Sequence, residues 1–393
     1  RAGGGCIGLR DLPWLIVPVV DTAKRLFFGR ALRSDRLEET LLPKRVALPV
    51  FASDALSSNA YATQEILIVL AVGGFSLYTV GPWIAAAVVI VYFVVVASYR
   101  QNVRAYPNGG GDYEVVSKNL GPRWGVFTAS ALMVDYTLTV AVSISAAVAN
   151  LGSVFPVFNE HGPWWAVGIV VVMTLINLRG VRESGTAFAI PTYLFMACIA
   201  LMVITAAIRM VFGAELTAES AGWTIVAEDQ VMGLALLFLV ARAFSSGTTA
   251  LTGIEAIANG VPSFRKPKSR NAATTLLLLG VISMSMFAAI TWLALATGVK
   301  ITSEDSDLVG LPEGQPQKTV IVQVAQAVFG SFDVGVLVVS LATALILAVA
   351  ANTAFNGFPV LGSILARDGY LPRQLHTRGD RLSYSNGIIA LST

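Results

Sequence analysis

The chain has 393 residues, 55% hydrophobic and 13% charged, with a formal net charge of +3 and two cysteines, Cys6 and Cys198. A mean hydropathy of +0.69 excludes a soluble globular domain and predicts an all-α polytopic membrane protein. Two cysteines so far apart indicate neither a disulfide framework nor a metal site, and no nucleic-acid partner is expected.

The chain opens on Arg1 rather than Met and stops at Leu391-Ser-Thr393, early in a new apolar run, so it is read as a fragment open at both ends. Residues 1–44 form a basic arm broken by Pro13 and Pro18. Its apolar piece, Leu12–Val20, is shorter than the about 20 residues a span needs, and no cleavage site follows it. The arm is therefore expected on the cytoplasmic side, interfacial or loosely ordered.

Residues 45–393 carry the membrane domain. Apolar segments recur at about 46–72, 78–99, 124–151, 164–178, 186–212, 231–261, 272–298 and 332–356, and a ninth begins near Asn386. A short amphipathic piece, including Ala325–Phe329, precedes the eighth in an outer loop. Alternate loops hold 23 Lys and Arg against 3 on the other side (Arg209, Lys300, Lys318), with Arg242 inside a span. That asymmetry puts the N-terminus in the cytoplasm.

The first span contains Phe51-Ala-Ser-Asp-Ala-Leu-Ser-Ser-Asn-Ala-Tyr61. A carboxylate at membrane depth costs roughly 2.5 to 3.5 kcal/mol on insertion scales. Ser and Asn beside it compete for the backbone and favour a break. A broken, acidic helix at this depth points to a cationic cargo. Phe51-Ala-Ser53 is echoed by Phe244-Ser-Ser246 in the sixth span, five spans later and so inverted, as in a five-plus-five inverted-repeat transporter.

Five acids fall at or near membrane depth: Asp54, Glu65, Asp135, Glu255 and Asp333. In span three Asp135, Thr139 and Ser143 are four apart and share a face, with Tyr136 beside them. In span six a glycine-rich break at Gly247 and Gly253 carries Thr252 and Glu255. With Asp54 and Tyr61, three helices present hard oxygen donors, which suit a small hard cation. Each residue also has a plainer reading. Membrane Ser and Thr often bond the carbonyl four residues back, as Thr139 and Ser143 would then do. A membrane Asp can pair with a basic residue, and Arg242 is the available counter-ion. Glu65 and Asp333 are read as outer-boundary residues without a transport role.

The cytoplasmic loop Tyr106-Pro-Asn-Gly-Gly-Gly-Asp-Tyr113 has the glycines of a hinge or inner gate, Gly109, Gly110 and Gly111, or of an ordinary turn. It is no phosphate loop, because no Lys-Ser/Thr follows it. Without GxSxG, HExxH, paired-Cys or Walker motifs, an enzyme is not expected.

Several stretches resemble the amino acid–polyamine–organocation (APC) superfamily, and within it the KimA-type potassium/proton symporters of the KUP group. They are Leu48–Thr63, Ser98-Tyr-Arg-Gln101, Tyr106–Gly111, Val134-Asp-Tyr-Thr137, Ala250–Ala256 and Ala366–Gln374. The resemblance runs from about residue 40 to the end. It implies a LeuT-like fold with discontinuous helices 1 and 6, here cut early in the ninth of twelve spans. It also implies a cation site of Asp54, Tyr61, Asp135, Tyr136, Thr139, Thr252 and Glu255, with Ser143 less surely matched and Glu255 as the proton-coupling acid. Those seven main positions show no departure from the pattern. No cofactor is implied; K⁺ and H⁺ are cargo, and lipid is the surrounding partner. The cytosolic domain through which relatives dimerise and sense cyclic di-AMP lies beyond this sequence. The expected function is proton-coupled K⁺ uptake across a prokaryotic plasma membrane. The alternative is an amino acid or cationic amine permease, against which Asp54 stands where a substrate carboxylate would bind. A K⁺ channel is disfavoured by the absence of a TVGYG-type filter.

Overall fold

A computed structural model describes residues 43–107, 111–178, 185–226, 231–312, 314–330, 332–377 and 384–393. The expectations for residues 1–42, Gly109 and Gly110 lie outside the described residues.

Apolar runs become helices because a bilayer leaves backbone groups no partner but one another. The first span comprises α1 (Lys44–Ser57) and α2 (Asn59–Ala71). Then come α3 (Gly81–Ala105), the short α4 (Gly111–Leu120), α5 (Pro122–Gly152), α6 (Gly162–Leu178) and α7 (Gly185–Val211). The sixth span is α8 (Leu234–Gly247) and α9 (Glu255–Asn259), followed by α10 (Lys268–Ala296), α11 (Val320–Phe329), α12 (Asp333–Arg367) and α13 (Ser385–Ser392). Among the described residues, six helices are long and apolar enough to cross a membrane. The divided sixth span is counted among them as Leu234–Asn259, whereas the more polar first span is not, and α6 is too short. Every apolar segment anticipated from the sequence is helical.

Helices α2 and α3 pack on each other and on both α8 and α10, and α5 packs on α12, α6 and α4. One buried cluster joins the first, second, fifth, sixth and seventh spans with the N-terminal half of α12. A second joins α5, α6, the C-terminal half of α12 and α13. The first and sixth spans thus belong to one packed group and the third to the other, with a seam between the two groups.

The two expected helix breaks differ. The sixth span opens fully: a 3-10 turn (Thr248–Leu251) leads to an extended Thr252 (φ −62°, ψ 155°) and to Gly253 at φ +80°. None of the carbonyls of residues 250–253 accepts a backbone hydrogen bond. The first span is interrupted at Ser58 alone, and Ser58 keeps helical angles (φ −59°, ψ −27°) with its N–H on the Asp54 carbonyl. The hydroxyls of Ser57 (2.8 Å) and Ser58 (3.1 Å) also donate to that carbonyl. Back-bonding hydroxyls thus hold the backbone at the position where a full break was expected, and the Asp54 carbonyl is not freed.

Outside the bundle, the two-residue strands Thr224–Ile225 (β1) and Leu308–Val309 (β2) pair antiparallel. Helix α11 lies against α2, α7, α10 and α12 and is buried along most of its length.

Candidate functional site

Asp54 is buried, and its Oδ1 has no hydrogen-bond partner among the described residues. Next to it the sixth span approaches as closely as a glycine permits. A Cβ on Gly253 would lie 2.6 Å from the Ala55 nitrogen and 2.9 Å from Asp54 Oδ2. A hydroxyl chain ties the two spans: Ser58 Oγ lies 2.7 Å from Thr252 Oγ1 and 3.2 Å from the Tyr61 hydroxyl, and Thr252 donates to the Thr249 carbonyl. Glu255, at the start of α9, is buried. Asp54 and Asp135 both act electrostatically on it.

Asp135 and Thr139 are half-buried, whereas Tyr136 and Ser143 are buried. Tyr136 is seated by a close approach from α12, where a Cβ on Gly357 would lie 2.6 Å from the Tyr136 ring. Its hydroxyl accepts a 3.4 Å bond from Asn259 of α9. Ser130 and Thr137 on the same helix bond back to carbonyls four residues earlier (2.9 and 3.0 Å), but Thr139 and Ser143 make no such bond. The back-bonding reading therefore does not apply to these two hydroxyls.

Asp54, Asp135 and Glu255, from three different spans, thus act electrostatically on one another. Among the described residues none of them pairs with a Lys, Arg or His; the ion pairs there are Lys118–Glu114, Lys318–Glu219 and Arg367–Asp368. Arg242, the anticipated counter-ion, is exposed on α8, and no described carboxylate lies within 4.0 Å of it. Its helical position points it away from the buried side of α8 (Leu239, Ala243, Gly247), which explains the difference. An unpaired buried charge costs several kcal/mol, about 3 to 5 when a partner is removed.

Gly111 is at φ +55°, and a Cβ there would collide with Asn259 of α9. The adjoining residues bridge the two packed groups. The Tyr99 hydroxyl of α3 donates to Asp112 Oδ2 (2.7 Å), and the Tyr113 hydroxyl donates to Asp368 Oδ2 after α12 (2.8 Å). Gly247 is helical, and its role is close packing against Ile66. Sequence reasoning missed Ser58, Asn259 and Gly357. It also missed the buried Asn59–Ser283 bond (3.0 Å) that ties α2 to α10. Ser58 and Asn59 lay in the stretch that drew attention, but their partners are about 200 residues away.

A family model described as amino acid permease matches residues 48–392. The potassium transporter KimA of Bacillus subtilis (strain 168) is 41% identical over 368 residues, which cover 94% of this chain and 58% of that protein. The chain thus spans less than two thirds of the length of this relative.

Proposed function

Because the chain belongs to the amino acid permease family, we propose that it is the membrane part of a secondary transporter that takes up K⁺ with protons by alternating access. The observation that carries this reading is the convergence of Asp54, Asp135 and Glu255, with no basic side chain paired to any of them among the described residues. The likeness to a relative named a potassium transporter supports the choice of ion.

In this reading the cation exchanges hydration water for the carboxylates of Asp54 and Asp135. The hydroxyls of Tyr61, Thr139, Ser143 and Thr252 and the unbonded carbonyls of residues 250–253 complete its shell. Tyr136 lines the same pocket, and Glu255 carries the proton. Three negative charges accommodate a K⁺ and a proton in one state, as symport requires; a single carboxylate would force them to alternate. The two packed groups then rock about the seam, with a LeuT-like five-plus-five arrangement as the frame. In this reading the N-terminus faces the cytoplasm of a prokaryotic cell, an orientation that the excess of basic residues in alternate loops supports.

An amino acid permease is the second reading, favoured by the description of the family model. A zwitterion would bring its carboxylate against Asp54, so within this reading a cationic amine fits better. The full protein is expected to restore growth of a K⁺-uptake-deficient bacterium at low K⁺, and Asp135→Asn to abolish it at unchanged membrane levels. Uptake of amino acids or amines without Rb⁺ or K⁺ flux overturns the proposal.

A further inference from the structure

Helix α2 has one face unlike the rest. Asn59, Ala60, Ala62, Thr63, Ile66, Leu67, Val69, Leu70 and Ala71 are buried, whereas Tyr61, Gln64, Glu65 and Ile68 are half-exposed. Ile66 and Gly73 face α8, through Gly247 and Leu239 respectively, so the half-exposed strip lies on the opposite side. Tyr61 packs there against the cluster of Ala147, Ala344 and Leu347 of α5 and α12.

That strip continues the candidate site outward. Asp54, Ser58, Tyr61 and Glu65 follow one another at intervals of four, three and four residues, which is one face of a helix. The helical backbone at Ser58 keeps them in register across the interruption. The Tyr61 hydroxyl, bonded to Ser58, lies in the fields of both Asp54 and Glu65.

Glu65 itself has no hydrogen-bond or ion-pair partner among the described residues, although it is half-buried. The three basic residues of the outer loops are committed elsewhere. Arg209 donates to the carbonyls of Ala327 (3.2 Å) and Val328 (2.5 Å). Lys300 donates to those of Ala221 (2.9 Å) and Trp223 (2.5 Å), and Lys318 pairs with Glu219 (2.5 Å). A half-buried carboxylate left without a protein cation is a place for a mobile one. Directly beside it, Gln64 Oε1 accepts the Val320 N–H at the start of α11 (3.1 Å), so the outer helix closes over this face.

We propose that Glu65 is an outer recruiting ligand for a monovalent alkali cation, the first carboxylate on a helix face that leads past Tyr61 and Ser58 to Asp54. This rests on the reading of the chain as a cation transporter. It extends that site by a residue which the sequence pattern had assigned to the boundary.

The test is initial-rate Rb⁺ uptake by the full protein in proteoliposomes, with unaltered, Glu65→Gln and Glu65→Asp proteins matched for reconstituted amount. Glu65→Gln is expected to raise the half-saturating Rb⁺ concentration about tenfold at an unchanged maximal rate, and Glu65→Asp to restore most of the affinity. An unchanged half-saturating concentration in Glu65→Gln overturns the inference and leaves the transport reading standing. So does an equal loss of maximal rate in both variants, which marks a structural role. No Rb⁺ uptake by the unaltered protein overturns both.

Discussion

Gly253 shows how closely the candidate site is packed. Its φ of +80° costs a residue with a Cβ about 1 to 2 kcal/mol. The added carbon would also meet the Ala55 backbone nitrogen at 2.6 Å and the Asp54 Cβ at 2.8 Å. Backbone cannot swing aside as the end of a side chain can, so one of the two spans would have to move. Gly253→Ala is therefore expected to abolish Rb⁺ uptake and to lower the melting temperature in detergent. Gly247→Ala is expected to cost less in the same two measurements. Gly247 has ordinary helical angles, and the nearest atoms to its added Cβ belong to the Ile66 side chain.

Helix α4 acts as a clasp between the two packed groups, with Asp112 held by α3 and Tyr113 holding the end of α12. Burial raises the Asp112 carboxyl above its ordinary value of 3.8, and the hydrogen bond from Tyr99 pulls it partly back. A carboxyl whose pKa is higher in the folded state favours folding while it is protonated. That contribution is complete below the unfolded value and is lost as pH rises through the folded one. Asp112→Asn is expected to flatten the fall of melting temperature between about pH 4 and neutrality, measured by a pH series of thermal melts. Tyr99→Phe, which removes the opposing hydrogen bond, is expected to steepen it. The site's own elements divide the work differently. The sixth span supplies an open backbone at residues 250–253, and the first supplies side chains from a backbone that stays helical.

Across the whole molecule, charge is placed to close the end of the bundle that carries α11. Arg209, near the end of α7, reaches the last carbonyls of α11, which no helical N–H can satisfy. A cation at a helix C-terminus also opposes the helix dipole. Lys300 holds the loop that precedes β1 while its ammonium rests 4.6 Å from the Phe75 ring. Arg209→Gln is expected to free α11 locally. Amide hydrogen exchange across Val320–Phe329 should accelerate severalfold, with exchange in α10 unchanged. Equal rates in both proteins would show that apolar packing alone holds α11.

Much of this architecture is legible in the order of residues, because the bilayer converts composition into structure. Long apolar runs must be helices, loop charge constrains which side they end on, and a carboxylate inside a run must face something polar. Asp54, Asp135 and Glu255 stood out for that reason, and so did the glycines of the sixth span. Partners distant in sequence were not legible. Ser58 and Thr252, Asn259 and Tyr136, Gly357 and the Tyr136 ring meet only after packing, and nothing local distinguishes them from neighbours of the same type. The sequence set Glu65 aside as a boundary residue; the helical backbone at Ser58 brings it onto the face of Asp54, and the engagement of Arg209, Lys300 and Lys318 leaves it unpaired among the described residues. By itself the sequence determined which residues could not tolerate lipid, since the cost of a buried charge belongs to the residue. The tertiary structure decided which of them lie together and which lack a counter-ion, since a counter-ion is a property of distance.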